Sequence, residues 1–190
     1  MLRNSRADFR QLQIAQYRHD EIAHRDIAWL PVPKRLTHYT LHFAKYAGAL
    51  VRANFAEDEA EAKRVLADAF AIVLAMANTL QIDLRDRVRA EPSDENLRNS
   101  DIRELLLCLS EAVGPMAKAC EAIDHLENFP SRPTLDHGVL RVLEVISALA
   151  EKMGVSLPDA VAARWALAEK KNFLFEENRK VELPSFLSAA

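Results

Sequence analysis

A weak internal repeat constrains the fold of this chain more than any other feature. Residues 45–53 resemble residues 111–119, and each segment carries a glycine at its fourth position, Gly48 and Gly114. A long apolar stretch follows each segment, and the endings of the two stretches, residues 74–88 and 147–161, also align. Those endings share five identical positions, namely Ala75/Ala148, Ala77/Ala150, Leu84/Leu157, Asp86/Asp159 and Val88/Val161. A repeat of this kind indicates a duplicated helical unit.

The composition favours an all-α globular protein. Hydrophobic residues make up 49% of the 190 residues, and only 4 glycines interrupt the chain, so long helices are possible. The formal net charge of −3 gives no general case for binding nucleic acid or an anionic membrane. We expect no membrane span, because no stretch approaches the roughly 20 apolar residues that a span needs. The N-terminus shows no apolar signal core, and Cys108 and Cys120 lie in apolar sequence as expected of buried thiols, so we expect a cytoplasmic protein.

The apolar spacing predicts a helical bundle of six to eight helices. The predicted helices cover residues 7–29, 33–53, 57–80, a short stretch after Asp83, and residues 101–127, 135–153 and 157–175. The third helix is apolar nearly all round, as expected of the buried centre of a bundle. The predicted parts are an N-terminal helix (1–32), a first repeat (33–90), a linker (91–100), a second repeat (101–178) and a tail (179–190), which we expect to form a single compact domain. A glycine within a helix costs about 1 kcal/mol relative to alanine, so we interpret Gly48 and Gly114 as points of close helix approach.

The repeated segments resemble the MazG-like superfamily of all-α nucleoside triphosphate pyrophosphohydrolases. The similarity to the first helix of that family lies in residues 42–50 and 109–116. The similarity to its second helix and the following turn lies in residues 66–84 and 149–157. The resemblance covers most of residues 35–175 and consists mainly of the hydrophobic framework. It implies two MazG-like halves packed about a pseudo-twofold axis.

The resemblance also implies hydrolysis of a phosphoanhydride by water, with Mg²⁺ held by about four carboxylates on two facing helices. Mg²⁺ needs such hard oxygen ligands in near-octahedral geometry. In the first repeat, Tyr46 and Ala49 stand where the first two ligand carboxylates belong. Arg64 or Val65 stands at the third position, and Asp68 alone keeps the acid.

The second repeat has Ala112, Pro115 and Arg141 at the corresponding positions, and Glu111 survives beside them. Asp68 and Glu111 are therefore the metal-ligand candidates that the resemblance leaves. One carboxylate in each repeat does not suffice to hold a catalytic Mg²⁺. An active enzyme with Mg²⁺ as cofactor would have to recruit acids outside the motif, such as Glu57, Glu59 and Glu61.

A cationic stripe lies beside the face where the family keeps its acids. Its members fall within one arc of about 100° on the helix predicted over residues 33–53 and are Arg35, His38, His42, Lys45 and Arg52. The stripe is either an anion-binding surface or an ordinary solvated helix face. By resemblance, Lys171, Asn178 and Arg179 are candidates for contacts with nucleotide phosphates, and the alternative is a solvated helix end with cations near its negative pole.

Histidine spacing offers a further candidate. The i, i+4 spacing of His38 and His42 suits a shared metal ion, to which His19, Asp20, His24 and Asp26 of the first helix would add ligands. No glutamate follows His38, as the zinc-protease motif would require, so satisfied or solvated histidines are the competing interpretation.

Three functional hypotheses follow from these observations. The leading hypothesis is a diverged, non-catalytic MazG-like protein that binds a nucleotide, another phosphate-bearing ligand or a protein partner. The alternative is a Mg²⁺-dependent nucleoside triphosphate pyrophosphohydrolase with a rearranged carboxylate site. The second alternative is a helical structural or assembly protein, and a homodimer is compatible with all three.

Overall fold

Two helix pairs that follow one another along the chain form the centre of the computed structural model. The structure describes residues 9–90 and 94–175, and every regular element among them is a helix, which confirms the all-α fold. In chain order the helices are α1 (Phe9–Ala23), α2 (Arg25–Ala28), α3 (Val32–Phe55), α4 (Glu59–Thr79), α5 (Leu84–Ala90), α6 (Glu95–Asn99), α7 (Ile102–Asp124), α8 (Ser131–Lys152) and α9 (Leu157–Glu169). We call α3 and α4 the first hairpin, and α7 and α8 the second hairpin.

The two hairpins pack side by side into a four-helix core. Helix α3 packs on α4 and α7, and α8 packs on α7 and α4. Thr40, near the start of α3, lies 3.4 Å (Oγ1 to Sγ) from Cys120, near the end of α7, so these two helices run antiparallel. Helices α1 and α9 both pack on α4. The prediction of a buried central third helix is confirmed, because α4 holds wholly buried side chains such as Leu66 and Phe70.

The aligned endings of the repeats form the same backbone turn. Gln81 and Gly154 occupy equivalent positions after α4 and α8, and both have a positive φ, 54° and 64°. In both turns the next amide donates to a carbonyl five residues back, from Ile82 N at 2.9 Å and from Val155 N at 2.8 Å. This is the hydrogen bond of a Schellman C-cap. The same cap also ends α3 and α7, where Glu57 and Leu126 have a positive φ, so the two hairpins share their helix ends.

Helix α1 is fixed to the turn of the first hairpin by one buried glutamine. Gln13 Nε2 donates to Asn78 Oδ1 at 3.0 Å and to the Ile82 carbonyl at 2.8 Å, and Gln13 Oε1 accepts from Leu84 N at 3.0 Å. An ion pair between Arg10 and Asp83 lies beside it. These bonds satisfy backbone groups that would otherwise need water.

Four predicted boundaries are wrong. The first predicted helix breaks at His24 into α1 and α2, and α6 lies within the predicted linker. Helix α8 begins at Ser131 rather than 135, because a proline such as Pro133 is tolerated in a first turn, where amides lack helical acceptors. Helix α9 ends at Glu169, and the backbone is helical again at residues 173–175, so the predicted helix is interrupted before its end at 175. The described residues thus hold more than the expected six to eight helices, the additions being short. Residues 91–93 of the linker and the whole tail lie outside the described residues.

The interpretation of Gly48 and Gly114 as points of close helix approach is wrong. Both residues are exposed, and a Cβ added to either would meet no atom within 4 Å. The closely packed glycine is Gly138 on α8, where an added Cβ would lie 2.7 Å from Met116 Sδ and closer still to its Cγ. Met116 is wholly buried, so it occupies the space that a side chain at position 138 would need.

Both cysteines are free thiols. Cys120 is buried as expected, whereas Cys108 is only half-buried. None of the helices within the described residues is both long enough and apolar enough to cross a bilayer.

Candidate functional site

Tyr46 of α3 lies close to Asp68 and Arg64 of α4 and to Arg164 of α9, at the position where the family resemblance expects a metal ligand. Its side chain is nearly buried, and its hydroxyl lies 3.1 Å from His42 Nδ1. Burial, followed by the nearby Asp68 carboxylate, raises the pKa of the Tyr46 phenol to about 12. The phenol is therefore a neutral hydrogen-bonding group at physiological pH.

Asp68 is held by two arginines from different helices. Arg64 Nη1 of α4 donates to Asp68 Oδ2 at 2.8 Å, and Arg164 Nε of α9 donates to Asp68 Oδ1 at 2.7 Å. Arg64 also donates to both oxygens of Glu61, at 2.6 and 2.7 Å, which raises the pKa of the guanidinium. Each oxygen of Asp68 thus accepts from a cation.

Two cations of the predicted stripe join this arrangement. Lys45 Nζ lies 4.5 Å from the centre of the Tyr46 ring and 3.2 Å from His42 Nδ1. Arg52 lies near Glu61, where it helps Arg64 to lower the pKa of that carboxyl. We define the Tyr46 cluster as this set, namely His42, Lys45, Tyr46, Arg52, Glu61, Arg64, Asp68 and Arg164. Its four cationic side chains outnumber its two carboxylates, so the cluster carries excess positive charge.

The histidines of the stripe contribute little to the positive charge of the cluster. Burial, with help from Lys45 and His38, lowers the pKa of His42 to about 4. Burial also lowers the pKa of His38, whose ring centre lies 4.5 Å from that of His42. His42 is therefore neutral near pH 7 and accepts hydrogen bonds rather than binding anions by charge.

Further histidines and one acid surround the start of the first hairpin. The ring centres of His19 and His24 lie 5.6 Å apart, and burial lowers the pKa of His19 to about 4. Burial raises the pKa of the half-buried Asp20 to about 7. Despite this crowding, the described part of the chain contains no group of three or more histidine, cysteine, aspartate or glutamate side chains placed to hold a metal ion.

The other predicted ligand residues lie outside the Tyr46 cluster. Arg35 is half-buried on α3, and its Nε is buried without a hydrogen-bond partner in the described residues. Lys171 is exposed in the turn that follows α9, and Asn178 and Arg179 lie outside the described residues. Asp68 and Glu111 belong to different hairpins, in line with their places in the two repeats.

The second hairpin has an open groove of about 460 Å³ between α7 and α8. Its lining comprises Cys108, Glu111, Ala112 and Pro115 of α7, and Pro133, Thr134, His137, Gly138 and Arg141 of α8. Arg141 Nη1 donates to Asp94 at 2.9 Å and to Glu144 at 3.1 Å.

Sequence reasoning did not single out Arg164, Cys108 or His137 as site residues. Arg164 lies 96 residues from Asp68 along the chain, and no local motif marks it. The repeat alignment was the only feature of the sequence that pointed to the groove. It places Cys108 at the position of His42 and His137 at the position of Arg64.

Comparisons with protein-family models, curated proteins and solved structures find no match to this chain.

Proposed function

We propose that this protein is a diverged, non-catalytic MazG-like protein that binds a phosphate-bearing ligand at the Tyr46 cluster. One observation carries the proposal: cations from three helices converge where the family resemblance expects Mg²⁺-binding acids. A cationic site of this kind binds phosphate directly, without a bridging metal.

The geometry divides the four cations of the cluster into two pairs. Arg64 and Arg164 are held in place by Asp68, so they are pre-ordered donors at the edge of the site. Lys45 and Arg52 form no ion pair within the described residues: Lys45 contacts the neutral His42 and the Tyr46 ring, and Arg52 acts on Glu61 only from a distance, so both can turn to an added anion. Ordered arginines beside unpaired cations lower the entropic cost of binding a phosphate.

The alternative of a Mg²⁺-dependent pyrophosphohydrolase has weaker support. Both oxygens of Asp68 accept from arginines, which compete with a metal ion for the same lone pairs. Glu61 is engaged by Arg64 in the same way. Recruiting these acids would require breaking several charge-assisted hydrogen bonds.

The test is thermal unfolding with pyrophosphate and with nucleoside mono-, di- and triphosphates, each with Mg²⁺ and with a chelator. A ligand at 100 times its dissociation constant should stabilise the fold by about 2.7 kcal/mol. Stabilisation should persist in the chelator, and it should weaken in Lys45→Ala and Arg52→Ala. Lys118→Ala, which removes the residue equivalent to Arg52 in the second hairpin, is the matched control. Mg²⁺-dependent stabilisation with release of pyrophosphate would favour the hydrolase instead.

A second candidate function is assembly through self-association. Leu41 and Leu107 occupy equivalent positions on α3 and α7 and are 65% and 61% exposed, and the exposed Gly48 and Gly114 lie two turns further along each helix. Exposed apolar patches mark protein–protein interfaces, so these two leucines are the side chains that an interface between copies would cover. Sedimentation equilibrium tests this, because Leu41→Glu should then dissociate a dimer.

We propose a cytoplasmic location on separate grounds, since both cysteines are free thiols.

A further inference from the structure

The second half of α9 is attached to the rest of the molecule by few buried side chains. The buried residues of the helix are Leu157 and Val161, which both lie near its start. Beyond Val161, Trp165 is half-buried, and Phe175, which follows the helix, is buried. The attachment of this half of α9 therefore depends largely on two aromatic rings.

His19 of α1 lies beside both of these rings. Its ring centre is 6.3 Å from that of Trp165 and 5.5 Å from that of Phe175. Next to it, Gln16 Oε1 accepts a hydrogen bond from Trp165 Nε1 at 2.9 Å. His19 is buried, and its Nδ1 has no hydrogen-bond partner within the described residues. A protonated imidazole donates from both ring nitrogens, so protonation would leave a buried donor at Nδ1 without an acceptor.

The charges around His19 do not compensate for its burial. His24, between α1 and α2, opposes its protonation, and Glu169, at the end of α9, favours it. Burial has the largest influence and lowers the pKa of His19 to about 4. Asp20, the next residue of α1, accepts a hydrogen bond from Gln16 and acts on Tyr39 of α3, so it belongs to the contact between α1 and α3. None of the described histidines belongs to a group placed to hold a metal ion.

From this arrangement we propose that His19 is an acid-sensitive switch, whose protonation releases the second half of α9 from α1. The imidazolium gains water and acceptors for both N–H groups when Trp165 and Phe175 move away. Arg164, beside Trp165 in α9, donates to Asp68 of α4, so the same movement withdraws one arginine from the Tyr46 cluster.

Acrylamide quenching of tryptophan fluorescence tests the switch on the full chain. Trp29→Phe leaves Trp165 as the remaining tryptophan, and Trp29 is 69% exposed, so its replacement disturbs no buried packing. If the pKa of His19 returns from about 4 to 6.5 on release, the ratio of released to attached α9 increases by up to tenfold for each pH unit of acidification in that range. Quenching of Trp165 should therefore increase several-fold between pH 7 and pH 4.5, with little change in the helical signal in circular dichroism. Constant quenching, or an increase that coincides with loss of the whole helical signal, would overturn the proposal.

Histidine variants in the Trp29→Phe background assign the response to one ring. His19→Phe keeps an aromatic ring beside Trp165 but takes up no proton, so quenching should stay low over the whole pH range. His42→Gln removes a half-buried histidine of the Tyr46 cluster and is the matched control, which should keep the response. Asp20→Asn should keep it as well, since that carboxyl belongs to the contact with α3. A response that persists in His19→Phe would assign the switch to another group and refute the proposal.

The effect on ligand binding rests on the phosphate-binding function proposed above, whereas the quenching experiment does not. At pH 5, pyrophosphate should bind to His19→Phe several-fold more tightly than to the unchanged protein, because Arg164 stays beside Asp68 in the variant. At pH 8 the two proteins should bind it equally. Equal binding at pH 5 would contradict the link between α9 and the Tyr46 cluster. If neither protein binds pyrophosphate at either pH, the proposed function fails, and the quenching of Trp165 still decides whether His19 is the switch.

Discussion

The first hairpin carries Tyr46 close to two arginines and a lysine, whereas the second hairpin carries Ala112 at the aligned position and has a groove of about 460 Å³ lined by both Glu111 and Arg141. Both hairpins nevertheless end in the same turn, with Gln81 and Gly154 in the left-handed region. Both hairpins therefore share their helix ends. The residues that line them differ, with Tyr46 and Asp68 in the first hairpin and Ala112 and Arg141 at the aligned positions of the second.

The largest expected effect on stability follows from removing the Tyr46 side chain from the first hairpin. Tyr46→Ala should lower the free energy of unfolding by about 3 kcal/mol, because a nearly buried aromatic side chain is removed. Urea denaturation measures the change. In the opposite direction, Ala112→Tyr should cost less than about 1 kcal/mol, since the second groove already has room for the ring. A cost for Ala112→Tyr as large as that for Tyr46→Ala would mean that the two positions are not equivalent.

The next largest effect concerns the glycine that borders the second groove. Gly138→Ala should destabilise the protein by about 2 kcal/mol, because the added Cβ overlaps the buried Met116 side chain. Gly48→Ala is the control and should stabilise by about 0.5–1 kcal/mol, since Gly48 is exposed, lies within α3 and has open space around it. Chemical denaturation of both variants checks the prediction. A stabilising Gly138→Ala would show that Met116 moves aside easily.

A smaller effect is the pH dependence of stability, which we expect to arise from titratable groups on α1 and in the first hairpin. Folding lowers the pKa of His42 from 6.5 to about 4, so the fold opposes its protonation. The stability that neutral His42 contributes is fully present above pH 6.5 and is lost as the pH falls towards 4. His42→Gln should therefore flatten the loss of stability between pH 6.5 and 4, as measured by thermal unfolding across that range.

Asp20 serves as the control of opposite sign. Folding raises its pKa from 3.8 to about 7, so the fold opposes its ionisation. The stability that protonated Asp20 contributes is fully present below pH 3.8 and is lost as the pH rises towards 7. Asp20→Asn should therefore stabilise the protein more at pH 7 than at pH 4. The reverse order would contradict the burial of this carboxyl.

The smallest expected effect lies in the shared turn. Gln81→Gly should stabilise the protein by up to about 1 kcal/mol, because glycine adopts a positive φ without the steric cost that glutamine bears. Gly154→Ala should destabilise by a similar amount at the equivalent position. Urea denaturation measures both changes. If the two variants change the free energy of unfolding in the same direction, the two turns differ in strain despite their common hydrogen bonds.

Much of the fold could be predicted from the sequence, because helices and their ends depend on nearby residues. The apolar spacing predicts α3, α4 and α7 to within a few residues, and Asp101 does begin α7 in a capping box with Glu104. The early start of α8 follows from a local rule that the prediction did not apply, because Pro133 is tolerated in a first turn. The break at His24 could not be predicted, since no proline or glycine marks it in the sequence.

The candidate site was less predictable. The stripe on α3 identified Lys45 and Arg52, but the partners that complete the cluster come from α4 and α9. Arg164 reaches Asp68 from 96 residues away. The sequence also predicted close packing at Gly48 and Gly114, whereas the closely packed glycine is Gly138. Only the neighbouring side chains determine which glycine is crowded.

The sequence alone established that this chain forms helices and that residues 45–53 and 74–88 have similar counterparts at 111–119 and 147–161. Each of these depends on residue type and short-range spacing, which the chain carries wherever it folds. Helix packing brings Asp68 to two arginines from different helices, places Tyr46 close to them and leaves a groove between α7 and α8. Those outcomes depend on which distant side chains share a volume, and that is fixed only when the helices pack.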